Sequence, residues 1–298
     1  MTAILNWITK MTNNDKYADL HVHTTFSDGL FTPGEVVEHA LDLGLGAVAI
    51  TDHDCVDGVL PAIEAAQGTG LEVIPGIELS ASCGDSEIHI LGYFLDPADE
   101  ELLGSLGRMT INRRSRMEEM IGRLADKGLK VDREKVFSQV KDGTVGRMHL
   151  ARAMVAQKIA GSVREVFDRY IGDGKPFHIR HKRLDHKDAI AMIKRAGGVP
   201  VLAHPGNMGR DEDIPLYVEA GLEGIEASHS EHSGKQSAKY LEMTERYHII
   251  ATGGSDCHGY SKWGTSKKEK AIMGRVTVPR ETVERLRAVS ERIRRDRG

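Results

Sequence analysis

Several short apolar segments of this 298-residue chain run directly into histidine, aspartate or glutamate. Residues 47–50 lead into Thr51-Asp52-His53-Asp54, and residues 199–203 lead into His204. Helical patterns lie between such segments, and one of them starts with Thr32-Pro33-Gly34-Glu35, a capping box with proline at the first helical position. Alternating strands and helices are typical of β/α units around a parallel sheet, where the strand ends meet at one edge. The pattern therefore predicts an α/β protein with a polar site at that edge.

The same reading predicts seven strands, which occupy residues 17–24, 47–51, 71–79, 87–94, 199–203, 222–227 and 248–253. Helices are predicted at residues 33–44, 61–67, 187–196, 234–247 and 281–295. From about residue 99 to residue 187 the alternation stops, and charged residues recur among Leu, Met, Val and Ile at helical spacing. We therefore predict a first β/α part at 16–98, an all-helical insertion at 99–187 and a second β/α part at 188–298.

Composition bounds the class of protein. Hydrophobic residues make up 40% and charged residues 28% of the chain, and no apolar run approaches the ~18 residues that a membrane span needs. The three cysteines, Cys55, Cys83 and Cys257, form no CxxC pair, which argues against a disulfide framework and for a reducing compartment. Residues 1–14 lack the basic start and long apolar core of a signal peptide. We expect a cytoplasmic protein.

Charge is distributed unevenly. The formal net charge is −4, yet residues 108–187 contain 20 Lys and Arg against 10 Asp and Glu. Such a basic segment on an acidic body would attract an anion, although solvated helical faces also produce this bias.

Histidines and carboxylates are the residues most indicative of chemistry. His21 and His23 alternate with apolar residues, so both lie on one strand face about 7 Å apart, a spacing that suits chelation of one metal ion. Each such residue alone could instead be a hydrogen-bonded histidine or a helix cap, but their repetition at strand ends favours ligation. Imidazoles and carboxylates without thiolate pairs indicate catalytic Zn, Mn or Fe. Glu78 is the natural carboxylate to bridge two ions.

The sequence resembles the PHP family, the polymerase and histidinol phosphatase phosphoesterases, because its polar motifs occur in the same order as in that family. They are His21-x-His23 with Ser27-Asp28-Gly29, Thr51-Asp52-His53, Pro75-Gly76-x-Glu78, His89, Ala203-His204-Pro205 and Gly254-Ser255-Asp256-x-His258. The resemblance covers residues 17 to about 259. It implies a distorted (β/α)7 barrel with a metal centre at the C-terminal face, and an insertion that serves as a substrate-binding cap.

The resemblance also implies a ligand set for two or three divalent ions. One ion would be held by His21, His23, Glu78 and Asp256, a second by Glu78, His89 and His204, and a third by Asp28, His53 and His258. Asp28 stands where some members have histidine. An oxygen ligand there favours Mn²⁺ over Zn²⁺ or Fe²⁺.

Within the family, Asn112-Arg113-Arg114, Gly146-Arg147-Met148-His149 and Gly197-Gly198-Val199 look like the branch that includes 3′,5′-nucleotide bisphosphate phosphatases. This branch implies hydrolysis of a nucleotide bisphosphate to a nucleoside 5′-monophosphate and phosphate. Metals bridged by Glu78 would acidify a shared water. The candidates for phosphate binding are Arg113, Arg114, Arg147, His149 and His232, and either His229 or His232 could protonate the leaving oxygen. Each insertion residue could equally lie on a solvated face.

Three alternatives remain open at this point. Members of the same branch trim RNA from its 5′ end, so a 5′-3′ exoribonuclease acting on short 5′-phosphorylated RNA is one of them. An aromatic content of only 5% leaves little for a base-stacking track and favours a mononucleotide. The others are a histidinol phosphatase and a metal-binding module without catalysis. We expect a small nucleotide or short RNA as partner, not a DNA duplex or a membrane, and the sequence points to no protein partner.

Overall fold

The computed structural model describes residues 16–140, 143–179, 183–260 and 272–297. Residues 1–14, on which the expectation about a signal peptide rests, lie outside these ranges. The strands are β1 Tyr17–Val22, β2 Ala47–Ile50, β3 Glu72–Cys83, β4 Ser86–Tyr93, β5 Leu184–Asp185, β6 Val199–Leu202, β7 Gly224–His229, β8 Ile250–Gly254 and β9 Val278–Pro279.

The helices of the β/α parts are α1 Pro33–Asp42, α2 Val59–Ala65, α7 His186–Arg195, α8 Ile214–Glu219, α9 Gly234–Tyr247 and α10 Arg280–Arg297. The predicted capping box is present at α1, where Thr32 Oγ1 accepts from Glu35 N and Glu35 Oε2 accepts from Thr32 N. Ser233 and Gln236 form the same device at α9. These short-range signals located both helix starts correctly.

The strands form a nearly closed, barrel-shaped sheet in the order β8-β7-β6-β4-β3-β2-β1-β9, with β5 beside β3. Strands β1, β2 and β3 are parallel to one another, as are β6, β7 and β8. The two ends approach each other where His23 N donates to Cys257 O at 2.9 Å and Cys257 N donates to His21 O at 3.2 Å. The predicted distorted barrel is confirmed.

Strand β4 departs from the parallel arrangement that the sequence pattern predicts. It runs antiparallel to β3, with Cys83 opposite Ser86, and antiparallel to β6, with Ile90 opposite Leu202. Two residues connect β3 to β4, whereas a parallel connection needs about a dozen. His89 consequently enters the site from the middle of a strand, opposite Ser80, and not from a strand end.

The strand side chains pack in two groups. One group contacts α1, α2 and α7 through residues such as Val36, Ala62 and Ile190. The other contacts α10 through Val283 and Leu286. Both groups combine apolar side chains of the strands with those of the helices. Burial of these side chains between sheet and helices holds the carboxyl ends of the strands in one rim.

The insertion contains α3 Glu100–Asp126, α4 Arg133–Phe137, α5 Arg147–Ala156 and α6 Val163–Val166, followed by a π-helical turn at Phe167–Ile171. Its helices share a separate core that includes Met117 and Met154, and the division of the chain at residues 99 and 187 stays a prediction. The first turns of α3 instead pack into the barrel core through Leu102 and Leu106. Helix α3 therefore packs against both the barrel and the other helices of the insertion.

The insertion rests on the loops that follow β1 and β2. Thr144 N donates to Phe26 O at 2.9 Å, and Thr144 Oγ1 donates to His53 O at 2.6 Å. A Cβ atom at Gly143 would lie 1.7 Å from Phe26 O, so only glycine permits this approach. The contact places the insertion above the rim of the barrel. None of the helices in the described ranges is both long and apolar enough to cross a bilayer.

Candidate active site

Glu78 lies at the centre of the site, on β3, and is fully buried. Its Oε1 atom is 2.8 Å from His89 Nδ1 and 2.9 Å from His204 Nε2. Its Oε2 atom is 3.0 Å from His53 Nδ1, 3.3 Å from His21 Nε2 and 3.3 Å from His23 Nε2. One carboxylate thus contacts five imidazoles, which come from strand ends and from β4.

Two aspartates complete the cluster on either side. Asp256 Oδ1 lies 3.1 Å from His23 Nε2 and 3.5 Å from His21 Nε2. Asp28 Oδ1 lies 3.1 Å from His258 Nε2 and 3.8 Å from His53 Nε2. All nine residues predicted as metal ligands therefore meet at one rim of the barrel.

Unpaired polar atoms in this cluster test whether it suits metal ions. The buried atoms His21 Nε2, His23 Nε2, Asp28 Oδ1, His53 Nδ1 and Glu78 Oε2 have no hydrogen-bond partner within the described ranges. Buried polar atoms are normally paired, so five such atoms facing one another fit a site that binds cations. The donors form compact groups, for example His23, Asp28, His53 and His258, or His53, Glu78 and His89. Imidazole and carboxylate donors of this kind fit divalent metal ions.

The protonation states of Glu78 and Asp28 agree with a role as metal ligands. Burial by itself would raise the pKa of Glu78, but His53, His89 and the other imidazoles hold that pKa well below its ordinary value. Burial likewise opposes ionisation of Asp28, whereas His258 and His53 keep the pKa of its carboxyl well below the usual range. Both carboxylates are therefore ionised at neutral pH, as metal ligands must be.

A fully buried aspartate shapes the loop that carries Asp28. Asp52 Oδ1 accepts from Thr24 N at 2.7 Å and from Ser27 Oγ at 2.5 Å, and Asp52 Oδ2 accepts from Thr24 Oγ1 at 2.7 Å. These bonds turn the chain sharply after β1. A Cβ atom at Gly29 would lie 2.4 Å from His23 O, so the turn also depends on glycine there.

Glu226 is a buried site residue that the sequence reading missed. Its Oε1 atom is 2.9 Å from His21 Nδ1, and its Oε2 atom accepts from His204 N at 2.7 Å. The available signal was a carboxylate between Ile225 and Ala227 in an apolar strand. Its contacts orient two candidate ligands from behind.

A cavity of about 200 Å³ opens above the cluster. Its floor consists of the candidate ligands Asp28, His53, Glu78, His89, His204, Asp256 and His258. Its wall comes from the insertion and includes Arg113, Arg116, Arg147, Met148 and Phe167. The cationic wall faces the candidate metal floor across one small space.

Two of the predicted substrate arginines lie on this wall. Arg113 is fixed there because its Nε atom donates to Asp54 Oδ2 at 2.7 Å and its Nη2 atom donates to Ser80 Oγ at 2.8 Å. Arg147 contacts Asp173 at 2.5 Å and Glu87 at 3.6 Å. Arg116, which was not predicted, lies beside them.

The structure places the other predicted substrate contacts outside the cavity lining. Arg114 is exposed and lies over the Phe137 ring at 4.7 Å. His149 is buried, and its Nδ1 atom accepts from Gly146 N at 2.9 Å, which caps the start of α5. Arg114 points away because it lies next to Arg113 on a helix, where successive side chains face different directions.

His229 and His232 also lie behind the cavity surface. The side chain of His229 is fully buried, with Nδ1 accepting from Glu231 N and Nε2 at 3.4 Å from Asp256 Oδ2. His232 Nδ1 donates to Ala227 O at 3.1 Å, and its Nε2 atom accepts from Gly206 N at 3.1 Å. Both nitrogens of His232 are therefore engaged with backbone. Neither residue is part of the cavity lining, and their contact with the leaving oxygen stays a prediction.

Comparison with known proteins agrees with this geometry. The family model described as PHP domain matches residues 19–171. A 3′,5′-nucleoside bisphosphate phosphatase of Chromobacterium violaceum is 33% identical over 83% of this chain and 88% of its own length. The phosphoribosyl 1,2-cyclic phosphate 1,2-diphosphodiesterase of Eggerthella lenta is 32% identical over 81% of this chain and 94% of its own length.

A third relative, the 5′-3′ exoribonuclease Rnm of Escherichia coli, is 31% identical over 85% of this chain and 88% of its own length. Among solved structures, a proposed metal-dependent phosphoesterase from Bifidobacterium adolescentis superposes with a TM-score of 0.82 at 32% identity. That match covers 90% of this chain and 94% of the other. The chain belongs to the PHP family and is a metal-dependent phosphoesterase.

Proposed function

We propose that the protein hydrolyses a phosphate monoester of a nucleotide, with a 3′,5′-nucleotide bisphosphate as substrate and a nucleoside 5′-monophosphate and phosphate as products. The observation that carries the proposal is Glu78, one buried carboxylate in contact with five imidazoles, on the floor of a cavity with an arginine wall. The Chromobacterium violaceum relative, named for this activity, supports the choice of substrate.

The candidate ligands would hold two or three divalent ions in the sets given above, with Mn²⁺ favoured by the oxygen donor of Asp28. When bound, such ions neutralise phosphate charge and lower the pKa of a bound water towards neutrality. Residues of the chain hold the candidate ligands in position. Glu78 stays ionised between the imidazoles, and Glu226 holds His21 and the backbone of His204 in place.

Arg113 and Arg147 orient the phosphate from above. Arg113 loses little side-chain freedom on binding because Asp54 and Ser80 already hold its guanidinium. A planar guanidinium suits bidentate contact with phosphate oxygens. His229 and His232 fix Asp256 and the backbone at Gly206, respectively.

Trimming of short 5′-phosphorylated RNA is the second candidate activity. The exoribonuclease relative and the excess of ten positive charges in residues 108–187 favour it. It uses the same floor and differs in what lies beyond the scissile phosphate. We also propose a cytoplasmic location, which the free state of Cys55, Cys83 and Cys257 supports.

The test compares phosphate release from adenosine 3′,5′-bisphosphate with shortening of a 5′-phosphorylated RNA oligomer, both by Mn²⁺-loaded protein. His204→Ala removes a candidate ligand, and His39→Ala, a histidine on α1 outside the cavity, is its matched control. Fast release from the bisphosphate that only His204→Ala abolishes supports the phosphatase. RNA shortening at an equal or higher rate supports the exoribonuclease, and activity on neither substrate rejects both.

A further inference from the structure

The cavity above the candidate metal ligands has a further carboxylate in its lining. Among the described residues, Glu87 is the acid of that lining that lies outside the candidate ligand set. It is on β4, two residues before His89, so both side chains project from the same face of the strand. The Glu87 side chain is only 21% exposed, and a charge with so little access to water needs partners in the protein.

The two oxygens of Glu87 face different parts of the molecule. Glu87 Oε2 contacts Arg183 Nη2 and lies 3.6 Å from Arg147 Nη2. Arg147 is the first residue of α5 and Arg183 directly precedes β5, so both belong to the predicted insertion. Glu87 Oε1 lies 3.7 Å from Nε2 of the candidate ligand His89. One carboxylate therefore joins the insertion to the floor of the cavity.

Glu87 is charged at neutral pH. Burial opposes ionisation of its carboxyl, but His89, Arg147 and Arg183 hold the pKa of Glu87 well below its ordinary value. A negative charge at this point repels a phosphate group in the same cavity. Contact with a substrate phosphate therefore does not account for Glu87, whereas its partners within the protein do.

The orientation of His89 indicates what Glu87 does. His89 Nδ1 lies 2.8 Å from Glu78 Oε1, and His89 forms a compact donor group with Glu78 and His53. The Nε2 atom, on the other side of the ring, faces Glu87 at a distance longer than a hydrogen bond, so this contact is electrostatic. A carboxylate there keeps a proton on Nε2, so that the Nδ1 lone pair is the one available to a metal ion.

We propose that Glu87 is a positioning residue that keeps His89 turned with Nδ1 towards the metal site and, through Arg183 and Arg147, fastens the insertion to the same strand. The inference rests on the proposed function and deepens it. Orientation of a metal ligand and placement of the insertion then depend on one side chain.

The test measures Mn²⁺ binding to the metal-free protein by calorimetry, with no substrate present. We expect Glu87→Gln to weaken Mn²⁺ binding about 10- to 100-fold, as loss of a partner behind a metal ligand does. Glu87→Asp keeps the charge and should retain part of the affinity. Glu119→Gln is the matched control, because Glu119 is also paired with an arginine, Arg123, but is exposed on α3.

A second variant separates orientation of His89 from placement of the insertion. Arg183→Met breaks the contact with the insertion and leaves the carboxylate beside His89, so its Mn²⁺ affinity should stay within about threefold of the wild type. Thermal melts of the metal-free proteins test the fastening. Glu87→Gln and Arg183→Met should both lower the melting temperature, because each leaves one partner of a largely buried ion pair without its counter-charge. The double variant Glu87→Gln/Arg183→Met avoids that penalty and should bind Mn²⁺ as weakly as Glu87→Gln.

Equal loss of Mn²⁺ affinity in Glu87→Gln and Arg183→Met would overturn the inference, because a displaced insertion alone would then explain the loss. Wild-type affinity in Glu87→Gln or in the double variant, unchanged melting temperatures, or a wild-type protein that binds no Mn²⁺ would overturn it as well. A wild-type protein that binds Mn²⁺ but acts on neither the bisphosphate nor the RNA oligomer rejects the proposed function, and the binding measurements then still decide the role of Glu87.

Discussion

Glu226 shows how a single buried residue can matter without touching the substrate. It contacts His21 Nδ1 and the backbone N of His204. We expect Glu226→Gln to lower metal affinity or activity 10- to 100-fold, roughly the cost of losing such a contact behind a ligand, because an amide has only one acceptor oxygen for the two donors, His21 Nδ1 and His204 N. Metal titration followed by calorimetry measures this. Retention of wild-type metal affinity would show that Glu226 is only a structural residue.

At the same scale, the pKa values of His23 and His89 allow a prediction of how the stability of the metal-free protein depends on pH. Burial opposes their protonation, but Asp256 and Glu78 raise the pKa of His23 to about 9, and Glu78 raises the pKa of His89 to about 10. A raised pKa stabilises the folded state fully below the unfolded value of ~6.5, and this contribution is lost as pH rises through the folded value. Metal-free protein should therefore lose thermal stability between pH 7 and pH 10. Metal affinity should instead increase with pH, because ligands must be unprotonated. Thermal melts with and without Mn²⁺ compare the two trends.

At the scale of elements, the contact between the insertion and the barrel depends on Gly143, where a side chain would collide with the carbonyl of Phe26. We expect Gly143→Ala to lower kcat/KM and the melting temperature, because the insertion can no longer lie against the loops beside Thr144 and His53. Gly107→Ala is the control, since Gly107 lies in α3 with nothing within 4 Å of the added Cβ. That change should stabilise the protein by about 0.5–1 kcal/mol. Equal activity of both variants would show that the contact is not required.

At the scale of the whole molecule, the metal centre joins segments that are far apart in the chain, from His21 on β1 to His258 after β8. An ion that binds only the folded state stabilises it by mass action, by about 2.7 kcal/mol at a hundredfold excess over its dissociation constant. Removal of metal with a chelator should therefore lower the melting temperature, and Mn²⁺ should restore it. His204→Ala should reduce this difference, whereas His39→Ala should not. A melting temperature that does not respond to the chelator would argue against a resident ion.

Local and periodic properties of the sequence determined much of this protein. The capping boxes at Thr32 and Ser233, the apolar strands and the residues that follow them are encoded over a few positions, so elements and candidate ligands were predictable. The pairing of β4 was not, because antiparallel and parallel strands share the same alternation and differ only in how the chain returns. The sequence also did not determine which arginine side chains of the insertion face the cavity, because Arg113, Arg114 and Arg116 are equivalent in a charge pattern. Only packing of α3 against both cores turned Arg113 and Arg116 into the cavity and Arg114 out of it. Tertiary structure likewise decided which polar groups, the buried Glu226 and the half-buried His232 among them, are satisfied behind the site and which atoms remain for a metal ion or an anion.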